Sequence, residues 1–228
     1  MRHPSPDHVV SRLACLKTRT GRPSPVRTPR SIEAARPGGY IAGMSTTERR
    51  PSTPGVDDGL PILIAPHPAL RAKTRRVGTE DLALVRDLLP RLFATMYAAP
   101  GIGLAAPQVG VGLRLAVVDL QPDDKPAPMV LINPEIVAAS DDEAVREEGC
   151  LSLPGHYADV SRPARVRVRH EDETGARHEF EADGLLAACV QHELDHLDGV
   201  LFVDHLTPLR RNMILRKLAK EQKAKAAG

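Results

Sequence analysis

The sequence predicts an α+β fold, because helical and strand-like segments follow one another without the regular strand and helix rhythm of a parallel sheet. Short β-type runs lie at 113–119 and 129–132. The run RVRVR at 165–169 alternates strictly between arginine and valine, which is typical of a half-buried strand with its arginines in solvent. A turn signal at Thr174-Gly175 separates this run from a further β-type segment at 178–182, so the two segments are predicted to form an antiparallel hairpin.

The first helix is predicted to begin near Thr79, whose hydroxyl can cap the amides that follow. Its apolar residues recur at intervals of three and four, as one buried helical face requires. The helix should bend at Pro90 and end before Pro100. The predicted buried face consists of Leu82, Val85, Leu89, Leu92 and Met96.

Residues 1–58 differ in composition from the rest of the chain. They hold ten Lys and Arg against five Asp and Glu, and eight of the 21 prolines, without a periodic apolar face. This composition predicts a disordered basic extension ahead of a folded domain at 59–228. Two origins stay open for it: an organelle-targeting peptide, or an over-long start in which Met44 begins the natural chain.

Composition also argues against several classes of partner. With three Tyr, three Phe and no Trp, the chain lacks the aromatic platforms that stack nucleic-acid bases, and no DNA partner is expected. No segment approaches the roughly 18 consecutive apolar residues of a membrane span, so no membrane partner is expected either. Three cysteines form a sparse, odd set that fits a reducing compartment. We expect a cytoplasmic protein, or an organellar one if the extension is a targeting peptide.

The segment QHELDHLDG at 191–199 predicts a metal-binding helix. Residues 183–184 can start this helix and Gly199 can end it. His192 and His196 are then one turn apart on the core-facing side, where both imidazoles can reach a single ion, as the HExxH pattern requires. The alternative is that both histidines are hydrogen-bonded packing residues.

Two cysteines compete for the place of third ligand. Cys189 precedes His196 by seven residues, roughly 10 Å along a helix with a rise of about 1.5 Å per residue. Metal–sulfur and metal–nitrogen bonds are only about 2.3 and 2.1 Å long, so Cys189 is better interpreted as a small core residue. Cys150 lies outside the helix, in EEGCLSLPG, and a loop or strand could bring its thiolate to the imidazoles. Its alternative role is a buried free thiol.

The acid of the site is harder to choose from spacing. Glu193 and Asp195 flank the histidine pair on opposite sides of the helix. In the HExxH mechanism the residue after the first histidine is the general base, and we assign that role to Glu193. Asp195 then either supports a ligand from outside the coordination sphere or faces solvent.

A second segment rich in small residues, GIGLAAPQVG at 101–110, admits two interpretations. Its first six residues match the GxGxxA dinucleotide fingerprint, but that motif follows a strand and opens a helix, whereas a predicted helix precedes it here. Small residues favour close approach to a ligand instead. Gln108 offers a neutral amide donor for a developing oxyanion, unless it is a surface-loop residue.

The segments GIGLAAPQ, EGCLS and QHELDH, in this order, closely resemble the three signature motifs of bacterial peptide deformylases. The resemblance extends over about residues 60 to 215. It implies antiparallel sheets packed around a central helix that carries the HExxH motif, followed by a C-terminal helix. It also implies an amide hydrolase that removes the formyl group from formyl-methionyl nascent peptides and releases formate.

The same resemblance implies one divalent metal as cofactor, natively Fe²⁺, with Zn²⁺, Ni²⁺ or Co²⁺ able to occupy the site. The implied ligands are the cysteine of EGCLS and both histidines of HExDH, which are Cys150, His192 and His196.

Four further residues take roles from the family by position. Glu193 exchanges protons with the water and the leaving amine, while the Gln108 side chain and the Leu151 amide bind the developing oxyanion. Gly103 borders the substrate backbone. One departure is Tyr157, which stands where many relatives have an arginine near the substrate.

The tail after Leu206 carries seven Lys and Arg against one acid and predicts a basic C-terminal helix. In related bacterial enzymes this helix docks on the ribosome, so contact with ribosomal RNA is one expectation and a solvated helix end is the other.

Two other functions remain open from the sequence alone. A zinc endopeptidase of the HExxH type would take its third ligand downstream, where Asp198 and His205 are available. A non-catalytic, metal-stabilised domain would fill all four coordination positions with protein groups.

Overall fold

The computed structural model describes residues 59–226 and the backbone of Leu16–Lys17. Apart from that dipeptide, the disorder predicted for 1–58 lies outside the described residues, and so does the alternative start at Met44. Both stay predictions.

The described strands form two sheets in which all neighbouring strands are antiparallel. In chain order the strands are β1 (Leu16–Lys17), β2 (Gly103–Ala105), β3 (Leu115–Val118), β4 (Met129–Ala139), β5 (Glu143–Cys150), β6 (Leu153–Pro163), β7 (Arg165–Glu171) and β8 (Arg177–Asp183). The smaller sheet has the order β1-β5-β6 and the larger sheet the order β2-β3-β4-β7-β8.

The strand-like runs of the sequence account for most of the larger sheet. The predicted hairpin is the pair β7 and β8. Val166 and Val168 are buried, while Arg167 and Arg169 are exposed beside glutamates of β8. The sequence does not predict β5 and β6, because charged residues interrupt any apolar alternation in β5 and β6 contains Pro154 and Gly155.

Three α-helices complete the described part: α1 (Leu82–Ala98), α2 (Gly184–Leu197) and α3 (Pro208–Ala226). Helix α2 contacts β2, β3, β7 and β8 of the larger sheet and β6 of the smaller one. It is therefore the central helix between antiparallel sheets, as the resemblance implies. Among the described helices we find none whose length and apolarity would allow it to cross a bilayer.

Helix α1 begins differently from the prediction. A short 3-10 turn at Thr79–Asp81 leads into it, and no side chain caps either segment, so the capping role of Thr79 is wrong. The Asp81 carboxylate holds this turn instead: it accepts the Gly78 N–H at 2.8 Å and pairs with Arg75 at 2.6 and 2.7 Å. The helix continues through Pro90, and its predicted apolar face packs on the larger sheet.

The three larger apolar clusters among the described residues stabilise the fold. Helix α1 packs on β2 and β3, and α2 packs on β7 and β8. The third cluster joins β6 to α3 and includes Cys150, Phe202 and Leu218, which is the one fully buried residue of α3 as described. Burial of this kind stabilises a fold by roughly 25 cal/mol per Å² of apolar surface.

Gly199 ends α2 in the left-handed region, at φ +76°, and a Cβ there would lie 2.6 Å from the carbonyl oxygen of Arg71. Gly175, in the turn between β7 and β8, has φ +82° and nothing within 4 Å of its added Cβ. The two glycines share the backbone conformation and differ in the space around them.

We therefore expect Gly175→Ala to lower the free energy of unfolding by about 1–2 kcal/mol, the usual cost of a left-handed non-glycine residue. Gly199→Ala should cost clearly more, because the segment at Arg71 must also move. Urea denaturation of both variants measures the difference, and equal losses would contradict the overlap at Gly199.

Candidate metal centre

The site forms where the end of β5 meets one face of α2. Cys150 is the last residue of β5 and is 4% exposed, while His192 and His196 on α2 are 3% and 1% exposed. The Cys150 Sγ lies 3.1 Å from His196 Nε2, and one ligand atom from each of the three residues lies within 4.8 Å of the others. Among the described residues, these three make the group of potential ligands that could share an ion.

The donor set fits a divalent metal. Burial alone would raise the pKa of the Cys150 thiol, but the neighbouring His196 and His192 lower it to about 5, which favours the thiolate that binds metals. The two imidazole rings lie 5.0 Å apart at an interplanar angle of 76°. The Nδ1–H of His192 donates to Glu148 Oε2 at 2.8 Å, which leaves its Nε2 for an ion.

Glu148 and Arg162 support His192 and are absent from the sequence-based assignment. Glu148 is fully buried, and Arg162 donates to it from Nε at 2.5 Å and from Nη2 at 3.0 Å. Burial opposes ionisation of Glu148, but hydrogen bonds from His192 and Arg162 lower its pKa to about 2. The alternation of a strand places residues 148 and 150 on one face, so a correct prediction of β5 would have indicated Glu148. No local pattern indicates Arg162.

Glu193 lies on the side of α2 that faces β2. It is 1% exposed, and its Oε2 has no hydrogen-bond partner in the described part of the chain. Burial raises its pKa to about 7, against the opposing effect of the two histidines. A Cβ on Gly103 would overlap Glu193 Oε1, so only glycine allows β2 to pass this close to the carboxylate.

Gln108 is buried at 2% exposure, so its alternative interpretation as a surface-loop residue is wrong. It lies in a 3-10 turn directly after β2, and its Oε1 accepts the Ala105 N–H at 2.8 Å. This bond directs the amide nitrogen toward the Ser152 hydroxyl at 3.2 Å and the Cys150 sulfur at 3.7 Å. The neutral donor therefore faces the candidate metal centre.

Two more of the predicted residues lie at the edge of the site. Leu151 directly follows Cys150 and packs against the cluster around α1. Cys189 lies in the apolar cluster of α2, where burial raises its thiol pKa well above the usual value, and its sulfur is 3.7 Å from the Ile102 carbonyl oxygen. It is outside the ligand group, which agrees with its interpretation as a core residue.

The alternative ligands of a zinc endopeptidase are engaged elsewhere. Asp198 pairs with Arg114 at 2.9 Å, and His205 contacts Asp195 at 2.7 Å. Asp195 also accepts a hydrogen bond from Arg162 at 2.8 Å, so its interpretation as an outward surface acid is wrong.

Tyr157 is 46% exposed on β6 and lies opposite Gly149, the residue before Cys150. Tyr157 therefore borders the strand end that carries the thiolate.

A family model described as polypeptide deformylase matches residues 60–212. A peptide deformylase from Mesorhizobium japonicum is 52% identical over 169 residues, which cover 74% of this chain and 96% of that protein. A peptide deformylase from Xylella fastidiosa is 53% identical over 166 residues, covering 72% of this chain and 96% of that protein.

Solved structures agree with these relatives. A peptide deformylase from Legionella pneumophila superposes with a TM-score of 0.68 at 46% identity, covering 75% of this chain and 99% of that one. A peptide deformylase from Synechococcus elongatus, solved in complex with actinonin, has a TM-score of 0.66 at 45% identity, with 71% and 89% covered.

Proposed function

The chain belongs to the peptide deformylase family, and we propose that its Cys150, His192 and His196 together hold the single divalent ion of the enzyme. The enzyme removes the N-terminal formyl group from formyl-methionyl nascent peptides and releases formate. The observation that carries our proposal is the meeting of three buried ligand atoms within 4.8 Å of one another.

A divalent ion in this place supplies Lewis-acid chemistry, because it makes a water molecule more acidic and polarises the formyl carbonyl. A thiolate with two imidazoles suits Fe²⁺, Zn²⁺, Ni²⁺ and Co²⁺ better than Mg²⁺ or Ca²⁺. We propose Fe²⁺ as the native ion, with the other three as replacements. Three protein ligands are typical of a catalytic site, whereas a structural site uses four.

We assign the proton transfers to Glu193. A carboxyl group with a pKa of about 7 exchanges protons readily at neutral pH. Glu193 accepts the proton of the attacking water as the oxygen adds to the formyl carbon. It then donates that proton to the nitrogen as the carbon–nitrogen bond breaks, so that the products are formate and a free amine.

We assign stabilisation of the developing oxyanion to the Gln108 amide and the Leu151 backbone N–H. The Gln108 amide group is already oriented by its bond to Ala105, so it needs no reorganisation when charge develops. A neutral donor is also compatible with the neighbouring Cys150 thiolate. We place the substrate backbone alongside Gly103, where β2 lacks a side chain.

Removing Cys150 should abolish stable metal binding, because two imidazoles alone make a weak site. We expect Cys150→Ala, purified without added metal, to contain far less than one equivalent of metal by inductively coupled plasma mass spectrometry. Cys189→Ala is the matched control, since it removes a buried thiol outside the ligand group and should keep the metal. Metal retained by Cys150→Ala at the wild-type level rejects the ligand assignment.

Gln108→Ala should keep the metal and lose turnover of formyl-Met-Ala-Ser by about 10²–10³ in kcat, the usual cost of one oxyanion donor. Free amine release measures the rate, and metal content measured on the same sample separates catalysis from binding. An unchanged kcat would reject the role of Gln108.

The wild-type enzyme should leave unformylated Met-Ala-Ser and casein intact, and cleavage of casein would favour an endopeptidase.

We further propose that α3 contacts the ribosome and that the enzyme acts in the cytoplasm. Exposed lysines and arginines follow one another along this helix, including Arg216, Lys220 and Lys223. Cosedimentation with ribosomes should weaken between 50 and 200 mM salt and weaken further in Lys220→Ala/Lys223→Ala, because each phosphate contact contributes to the salt dependence. Binding that is insensitive to both changes would rule out electrostatic docking.

A further inference from the structure

We propose that His205 is a positioning residue for the metal centre, acting on His192 through a chain of ionic contacts that reaches the protein surface. The proposal rests on the assignment of His192 as a metal ligand. In order from the inside, the members of this chain are His192, Glu148, Arg162, Asp195 and His205.

Positive and negative charges alternate along the buried part of this chain of ionic contacts. The Arg162 guanidinium, whose side chain is 7% exposed, lies between the Glu148 and Asp195 carboxylates and donates to both. A buried guanidinium that loses one carboxylate keeps an unsatisfied donor. The orientation of Glu148, and with it the Nδ1 bond of His192, therefore depends on how firmly Asp195 holds Arg162.

Asp195 is the weakest member, because its side chain is 23% exposed and can exchange its partners for water. A single oxygen of Asp195, Oδ2, accepts from Arg162 Nη1 at 2.8 Å and from His205 Nε2 at 2.7 Å. Two donors on one oxygen restrict the carboxylate to one rotamer. His205, 33% exposed, is thus the outermost group that fixes Asp195.

The turn that carries His205 is itself firmly held. It is the 3-10 turn Phe202–His205, which follows α2. Phe202 is buried and stacks on His192, with 6.4 Å between the two ring centroids. The Asp204 carboxylate accepts the Leu201 N–H at 2.8 Å and also pairs with Arg71. One turn therefore contacts His192 directly through Phe202 and indirectly through His205.

The outer end of this chain of ionic contacts lies at a groove of about 560 Å³, whose lining includes Arg162, Gln191, Leu194, Asp195 and His205. Water in this groove can compete for Asp195 once His205 is removed. Polar partners of metal ligands typically change metal affinity by about 10–100-fold when they are lost. His205 is four contacts away from His192, so its loss should have a smaller effect, about three- to tenfold.

The test compares His205→Leu, which removes the donor, with His205→Gln, which keeps one. Zn²⁺-loaded protein is mixed with excess chelator, and the rate of metal loss is followed. His205→Leu should lose metal about three- to tenfold faster than wild type and His205→Gln close to the wild-type rate. With formyl-Met-Ala-Ser, kcat should fall in His205→Leu while KM stays unchanged, because the change reaches the metal ligand and not the segment at Gly103 where we place the substrate backbone.

A matched control is His178, which is not part of the chain of ionic contacts. It contacts Asp172 at the same distance of 2.7 Å but lies on the β7–β8 hairpin. His178→Leu should lose metal at the wild-type rate. Thermal unfolding of the metal-free proteins identifies any variant that is merely destabilised, and in that case the effect of His205→Leu with and without Asp195→Ala decides, because general destabilisation would persist in both backgrounds.

A double-mutant cycle with Asp195→Ala decides whether His205 acts through Asp195. In that background, His205→Leu should accelerate metal loss no further. The proposal is overturned if His205→Leu matches His178→Leu, or if its effect persists undiminished in the Asp195→Ala background. Failure of the metal assignment itself looks different, since the wild-type protein would then hold no Cys150-dependent metal.

Discussion

The contact between the end of β5 and the inner face of α2 is the interaction on which the site depends. It brings a thiolate against two imidazoles in a space that is almost closed to solvent. In that space charges are poorly screened, so each ionised group needs a partner of opposite charge or a metal ion. The arrangement of buried acids, bases and glycines around Cys150 follows from this requirement.

Three ionisable groups within this one region respond differently to burial. Glu148 stays ionised because His192 and Arg162 both donate to it, and Cys150 is biased toward thiolate by the histidines beside it. Glu193 has no donor on one of its oxygens, and burial therefore raises its pKa to about 7. The number of hydrogen-bond donors at each group separates a structural carboxylate from one that can exchange protons.

Glycines set how closely the elements approach the site. Gly103 lets β2 pass against the Glu193 carboxylate, and Gly199 lets the chain leave α2 beside the Arg71 carbonyl. The next turn then returns to the site and places Phe202 on the ring of His192. The two histidines are nevertheless held unequally, since the Nδ1 of His196 has no partner among the described residues.

The sequence by itself determined the parts that depend on local periodicity and on motif spacing. Helix α2, its core-facing histidines and the exclusion of Cys189 from the metal ligands follow from distances along one element. The β7–β8 hairpin follows from two strand-like segments joined by a short turn. Tertiary structure alone decided that Arg162 reaches both Glu148 and Asp195, and that Asp195 faces His205 rather than open solvent. These partners lie 10 to 33 residues apart in the chain or on different elements, and nothing in a local pattern encodes how the strand pair β5–β6 is placed against a helix. Periodicity determines which face of an element is buried, whereas the packing of whole elements determines which buried groups meet.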